Sequence, residues 1–137
     1  IVGWVWFYAD KVHPLPAKIV NELGLTPRNS RIYQLSYEKL MSEGWPKELV
    51  AKAQHVSVSY LERARKGVIV EGLRLAIARL ARSYRRLYVK RRKLVLYGFV
   101  HGKNLASRIV LERNGFVKQA KRYSYDGVPH QLWVKVV

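Results

Sequence analysis

The sequence predicts an α/β (α+β) fold, because strand-like and helix-like stretches alternate along its 137 residues. Residues 56–84 and 93–114 each have the order strand, loop, helix. The chain then closes with two strand-like segments joined by Asp126-Gly127, a strong β-hairpin signal. We therefore expect a sheet with helices against it and a hairpin at the C-terminal end.

The N-terminal part gives weaker signals. The apolar run IVGWVWFYA predicts a strand, and residues 11–53 are interpreted as a helical insertion or as a segment on the acceptor side of the site. Within it, helices are predicted over 17–23, ended by Gly24, and over 37–53, interrupted near Gly44-Trp45-Pro46. Residues 19–40 also resemble a helix-turn-helix, although the apolar spacing after Gly24 is poor.

The first strand-loop-helix unit contains a candidate anion site. Apolar and serine residues alternate over 56–60, the basic stretch ERARKG follows at 62–67, and a helical apolar stripe begins at Val70. A helix N-terminus presents unpaired N–H groups that suit a pyrophosphate, and Gly67 permits close approach of the backbone. By itself, one glycine after a strand is more often only a turn.

The second unit is compact and well marked. Residues 93–100, KLVLYGFV, predict a strand buried on both faces. Asn104 predicts the N-cap of a helix over 105–114, and Gly115 predicts a left-handed C-terminus before Phe116 begins the next strand. An ordinary capped surface helix has the same spacing, so these signals alone do not specify a cofactor site.

The segment NLASRIVLERNGF at 104–116 has the form Asn-x-x-Ser-x-x-x-Leu-Glu-x-x-Gly-Phe. It resembles the cofactor-proximal C-terminal motif of the GNAT superfamily of acyl-CoA N-acyltransferases, and most of all its RimJ/RimL-like branch, which acetylates protein N-termini. Upstream, Gly67 and Glu71 fall on matching positions of a segment similar to the pyrophosphate loop of the family, with Ile69 in place of the second glycine.

The resemblance implies a mixed, mostly antiparallel central sheet flanked by helices, in a single domain over 1–137 whose acyl-CoA-binding core is 56–137. It implies an N-acetyltransferase that transfers an acetyl group from acetyl-CoA to an amine, a protein N-terminus or a lysine, without a metal. The alternative is a catalytically inactive GNAT-fold module or a basic nucleic-acid-binding protein.

Site residues follow from the same resemblance. Relatives often carry a Tyr as thiolate proton donor where this chain has Leu111, so Ser107 is the candidate donor. Glu62 is the candidate general base, with His101 and Tyr60 as rivals, although Glu62 serves equally well as the ion-pair partner of a neighbouring Arg. The residues expected to bind the cofactor are Leu61, Arg65, Lys66, Gly67, Val68, Ile69, Val70, Asn104 and Ser107.

Charge is the other outstanding property. Lys and Arg number 26 against 9 Asp and Glu, which gives a net charge of +17. The cations concentrate at Arg63, Arg65, Lys66, Arg74, Arg79, Arg82, Arg85, Arg86, Lys90, Arg91, Arg92 and Lys93. A solvated helix face and cofactor phosphates account for some of them. The surplus favours an acidic partner such as nucleic acid, a ribosome-like particle or an acidic protein.

Composition excludes several kinds of site. There is no cysteine, which rules out disulfides and a thiol nucleophile and suits a cytoplasmic enzyme. The four histidines, at 13, 55, 101 and 130, lack metal-ligand spacing. The apolar N-terminal run lacks the features of a signal peptide, and no membrane association is expected.

Overall fold

The computed structural model describes residues 3–9, 13–39, 48, 52, 55, 57–87 and 93–137. Over these residues the fold is α+β, with a five-stranded mixed open sheet and three helices. The strands are β1 Gly3–Tyr8, β2 Ser30–Lys39, β3 Lys93–Val100, β4 Val117–Tyr125 and β5 Val128–Val136. The helices are α1 Ala17–Glu22, α2 Val58–Leu87 and α3 Leu105–Arg113.

The strand order is β1-β2-β3-β5-β4. Only the pair β2 and β3 is parallel; β1 with β2, β3 with β5 and β5 with β4 are antiparallel. A parallel pair needs a long crossover, and α2 lies in the segment that connects β2 to β3. The expected mixed, mostly antiparallel sheet is therefore present in the described residues.

The C-terminal hairpin agrees closely with its prediction. Asp126 and Gly127 both have positive φ, 50° and 77°, as a two-residue type I′ turn requires. Val128 pairs with Tyr125 directly beside that turn, and β4 ends at Tyr125, immediately before it. The register shifts between Lys118 and Arg122, so β4 contains an irregularity near its middle.

Both faces of the sheet are covered. One face packs against α2 and α3, in a cluster that includes Leu73, Ile77, Leu96, Val110 and Leu111. The other face packs against α1 and its flanking turns, in a second cluster of Leu15, Ile19, Leu25, Val95, Tyr97, Leu132 and Val134. Burial from both sides explains why the strand over 93–100 is apolar at nearly every position.

The strand expected over 56–60 and the loop expected over 62–67 were wrong. Helix α2 begins at Val58 and continues through Gly67 to Leu87, and Val56 lies outside the described residues. Most of the residues before Gly67 favour helix, and a single interior glycine costs only about 1 kcal/mol. A long stripe that buries Leu73, Ile77 and Tyr84 against the sheet outweighs that cost.

The interpretation of 11–53 as a helical insertion does not hold at 30–39, where β2 lies between β1 and β3 in the sheet. The helix predicted over 37–53 is strand at 37–39, whereas Glu48 and Lys52 are helical as predicted, and the other residues of that range lie outside the described residues. A helix-turn-helix over 19–40 is excluded for the same reason. Helix α1 was confirmed, with Gly24 in the left-handed region at φ 62°.

Candidate functional site

The two parallel strands separate at their carboxyl ends. β2 pairs with β3 from Ser30↔Lys93 to Gln34↔Tyr97, and in the described register the pairing stops there. β2 continues to Lys39 paired with β1, and β3 continues to Val100 paired with β5. In sheets with parallel strands, ligands bind outside the carboxyl ends of those strands, so this opening is the candidate site.

Gly98 lies on β3 at the start of the opening. A Cβ atom added there would lie 3.8 Å from the carbonyl oxygen of Leu35, an ordinary contact distance. Gly98 is buried, on the face of β3 that α2 and α3 cover. After Val100, a four-residue loop, 101–104, connects β3 to α3, so the N-terminus of α3 lies next to the opening.

Asn104 is the N-cap of α3, as predicted. Its Oδ1 accepts a hydrogen bond of 3.1 Å from the backbone N–H of Ser107. Ser107 is partly buried in the first turn of the helix. The structure thus brings these two predicted residues together beside the opening, and it also assigns the Asn104 oxygen a capping role that stabilises the helix.

The other end of α3 is fixed by contacts that the sequence did not reveal. The buried side chain of Asn114 donates through Nδ2 to the carbonyl oxygens of Val70 in α2, at 3.2 Å, and Val110, at 2.9 Å. Lys135 Nζ donates to the carbonyl oxygen of Asn114 at 2.6 Å. Gly115 follows with φ 80°, as predicted. The segment from Asn104 to Phe116 therefore joins α2 to the sheet.

His101 is exposed in the loop at the end of β3. Its Nδ1 accepts a hydrogen bond of 3.2 Å from the backbone N–H of Lys103, so in the neutral ring Nε2 carries the proton. The ring lies edge-on to His130, with 5.5 Å between the centroids. Three residues were considered as the general base. Among them, only the side chain of His101 belongs to the described part of the structure, and it lies at the opening.

The expected cofactor loop at Arg65 to Val70 is instead part of the interior of α2. Beyond the first turn of a helix, the N–H groups bond to carbonyl groups four residues earlier, so they cannot bind an anion. Val70 packs against the hydrophobic core, and its carbonyl oxygen bonds to Asn114. A pyrophosphate site built on these backbone N–H groups is therefore excluded.

The remaining residues expected at the site fall on the same helix. The side chains of Tyr60, Leu61, Glu62, Arg65, Lys66, Val68 and Ile69 lie outside the described part of the chain, as do the surroundings of Gly67. Their backbones belong to the first four turns of α2. Their roles in catalysis and cofactor binding stay predictions.

Gly67→Ala is expected to raise the free energy of unfolding by about 0.5–1 kcal/mol, because alanine favours a helix interior over glycine. Gly72→Ala is the matched control, since Gly72 is exposed on α2 with no atom within 4 Å of an added Cβ. Denaturant unfolding measures both. A loss of stability in Gly67→Ala with a gain in Gly72→Ala would indicate that α2 does not pass through Gly67 as a regular helix.

An aromatic group on the opposite face of the sheet borders the opening. Phe99, beyond the paired part of β3, stacks with Tyr125 at 5.1 Å between centroids. The ring of His13 lies 4.4 Å from that of Tyr125, and its Nε2 lies 3.0 Å from Oδ1 of Asp126. Tyr97 donates its hydroxyl to the carbonyl oxygen of His13 at 2.7 Å. No sequence pattern connected His13 with the hairpin, since 113 residues separate it from Asp126.

In the part of the chain that the structure describes, no group of three His, Asp or Glu side chains could hold a metal ion. Among the same residues, no helix is both long and apolar enough to cross a membrane. Comparison with protein-family models and with curated proteins found no match for this chain.

Proposed function

We propose that the protein is an acetyl-CoA-dependent N-acetyltransferase of the GNAT type, which acetylates a protein N-terminus or a lysine. The observation that carries the proposal is the separation of β2 and β3 after Gln34↔Tyr97, beside the N-terminus of α3. The resemblance implies a splayed central sheet that holds the cofactor, and the motif behind that resemblance is the segment from Asn104 to Phe116.

The chemistry of the opening suits the cofactor. Where two strands part, their facing backbone N–H and C=O groups need other partners. The pantetheine arm of acetyl-CoA is an extended chain with amide groups, so it can pair with a strand edge as a peptide does. A strand N–H would then lie near the thioester carbonyl and stabilise the negative charge that develops on its oxygen.

The reaction requires two proton transfers. The acceptor ammonium loses a proton, its nitrogen forms a bond to the thioester carbon, the carbon–sulfur bond breaks, and the departing thiolate takes up a proton. His101 is the preferred candidate for the general base, because it lies at the opening. Glu62 and Tyr60 are the remaining candidates. Ser107 is the proposed proton donor, because Leu111, where relatives carry Tyr, is buried in the core.

The cofactor phosphates need a different site from the one expected at Gly67. We propose that they approach the first turn of α2, which begins at Val58, since helix N-termini present free N–H groups and a positive dipole end. Arg63, Arg65 and Lys66, further along the same helix, add favourable charge. This change moves the phosphate site towards residues 57–61 and removes Arg65 to Val70 as backbone ligands.

The continuity of α2 through Gly67 favours the alternative proposal, an inactive GNAT-fold module or a basic nucleic-acid-binding protein. Such a protein has no need of a glycine loop or of a proton donor at position 111. Cofactor binding separates the two possibilities before any acceptor is known.

Acetyl-CoA is expected to raise the melting temperature of the wild-type protein. A ligand that binds only the folded state adds about 2.7 kcal/mol of stability at 100 times its dissociation constant. Adenosine 3′,5′-bisphosphate is the control, because it carries phosphates without pantetheine and measures the general attraction of a basic protein for polyphosphates. Equal shifts with the two ligands, or no shift at millimolar acetyl-CoA, would overturn the proposed function.

Ser107→Ala is expected to lower kcat by at least about tenfold, with acetyl-CoA affinity changed less than about twofold, because the proton transfer occurs only as the carbon–sulfur bond breaks. The Asn104 cap uses the backbone N–H of Ser107, so it survives the substitution. Ser83→Ala, at an exposed position of α2, is the matched control. Activity is measured on a peptide amine identified by screening. An unchanged kcat would show that Ser107 does not donate the proton to the thiolate.

A further inference from the structure

Between Leu75 and Leu87, α2 carries four arginines, Arg79, Arg82, Arg85 and Arg86, each exposed to solvent. Arg79, Arg82 and Arg86 follow the i, i+3, i+7 spacing of a single helix face, and Arg85 lies on its flank. That face points away from the sheet, since Leu73, Ile77, Ala81 and Tyr84 on the other side of the helix are buried. We call these four residues the arginine row.

Within the described part of the chain, the arginine row lacks neutralising partners. No acidic residue occurs between Gly72 and Leu87, and among the described residues none of the four arginines forms an ion pair. The nearest carboxylate on the helix, Glu71, is hydrogen-bonded to Arg74, and that bond lowers the pKa of Glu71. Four like charges on adjacent turns repel one another, and only Arg85 and Arg86, in the last turn, interact favourably with the helix dipole.

A cavity of about 340 Å³ lies beside the row, between α2, the end of α3 and β5. Three of its lining residues are cations, Arg74, Arg113 and Lys135, and no carboxylate lines it. Arg85 follows Arg74 by eleven residues, which is close to three helical turns or about 16 Å. The two arginines therefore lie on nearly the same edge of α2, and we call the arginine row and the cavity together the basic surface.

We propose that this surface binds the phosphate backbone of double-helical nucleic acid without regard to base sequence. A duplex carries about one negative charge per 1.7 Å of its axis, so a row of cations along a helix can contact several phosphates at once. All four residues of the row are arginines, whose planar guanidinium groups bind phosphate through two parallel hydrogen bonds. The cavity takes one further phosphate between Arg74, Arg113 and Lys135.

An acidic protein surface fits less well. Protein interfaces have an apolar centre, whereas the exposed leucines of this part of α2, Leu75 and Leu87, lie at the two ends of the row. No Asn or Gln lies between Gly72 and Leu87 to read base edges. The residues of the surface thus suit contacts with phosphates. They lack the apolar centre of a protein interface and the amide side chains that recognise a base sequence.

The test is binding of a fluorescent duplex of about 20 base pairs and mixed sequence, measured by anisotropy between about 50 and 200 mM salt. Arg79, Arg82, Arg85 and Arg86 are replaced together by Ala, which preserves helix propensity. The matched control replaces Lys18, Arg28, Lys118 and Lys121 by Ala, four exposed cations on other elements, so both variants lose the same net charge.

The row variant is expected to bind at least about 100-fold more weakly at 50 mM salt, with a salt slope lower by about 3 to 4, because each phosphate contact contributes about 0.9. The control variant should change the affinity less than about threefold. Arg113→Ala should lower the slope by about 1, since the cavity takes one phosphate. Circular dichroism confirms that each variant is folded.

Equal losses in the row and control variants would mean that binding follows net charge alone, and would overturn the proposal. So would the absence of binding by the wild-type protein at low salt, or displacement of the duplex by polyglutamate at equal charge concentration, which would identify an acidic protein as the partner. Acetyl-CoA binding by the row variant is measured in parallel, and a loss equal to the loss of duplex affinity would assign the arginines to the cofactor instead.

Discussion

Leu73→Ala is expected to lower the free energy of unfolding by about 2–5 kcal/mol, the range for deleting a fully buried leucine side chain. Leu73 is 0% exposed and belongs to the cluster that joins α2 and α3 to the sheet. The truncation removes the apolar contacts of the side chain and leaves a cavity that close-packed neighbours fill only in part. Urea unfolding measures the change directly.

Leu75 supplies the matched control, because it lies two residues further along the same helix and is 55% exposed. Leu75→Ala should change the free energy of unfolding by less than about 0.5 kcal/mol. Both variants replace a leucine of α2 by alanine, and they differ only in the side of the helix on which the leucine lies. Similar losses in both would contradict the orientation of α2, and with it the placement of the arginine row on the outer side.

Gly98→Phe is expected to weaken acetyl-CoA binding by at least about 100-fold and, because Gly98 is buried, to lower the free energy of unfolding by about 1–3 kcal/mol. The new side chain starts on β3 where pairing with β2 ends, and its first atom lies 3.8 Å from the carbonyl oxygen of Leu35. A phenyl ring there occupies the space that the proposal assigns to pantetheine, and an occluded site loses the contacts of that arm. Titration calorimetry with acetyl-CoA measures the loss.

Gly98→Ala is the control, because its Cβ makes only an ordinary contact and leaves the opening free. It should bind acetyl-CoA within about threefold of wild type, a difference of less than about 0.7 kcal/mol. Far-ultraviolet circular dichroism and the melting temperature without ligand show whether Gly98→Phe is folded. A folded Gly98→Phe protein that binds acetyl-CoA normally would place the cofactor away from the separation of β2 and β3.

Some parts of the fold were predictable because their causes act over a few residues. The Asn104 cap, the left-handed Gly115 and the turn at Asp126-Gly127 each depend on the backbone geometry of one turn, and the structure confirmed all three. The strand over 93–100 was predictable for a related reason, since burial on both faces leaves a continuous apolar run.

Two errors came from patterns whose outcome depends on distant contacts. The alternation over 56–60 matched a strand, yet residues 58–60 begin a helix whose later turns pack on the sheet. β2 was missed because its signal, Ile32, Tyr33 and Leu35 among polar residues, is short. Its place between β1 and β3 depends on pairing with segments before and after it in the chain.

The sequence by itself determined the fold class, the C-terminal hairpin, the capped helix of the second unit and the excess of positive charge. Only the tertiary structure decided that β2 and β3 are neighbours that part at their carboxyl ends, that Gly67 lies in a helix, and that Asn114 connects α3 to α2. The physical reason is the distance along the chain over which the determining contacts act. Caps and turns are fixed by neighbouring residues. Strand pairing, helix continuity and the site between strands depend on burial shared by segments far apart in the chain.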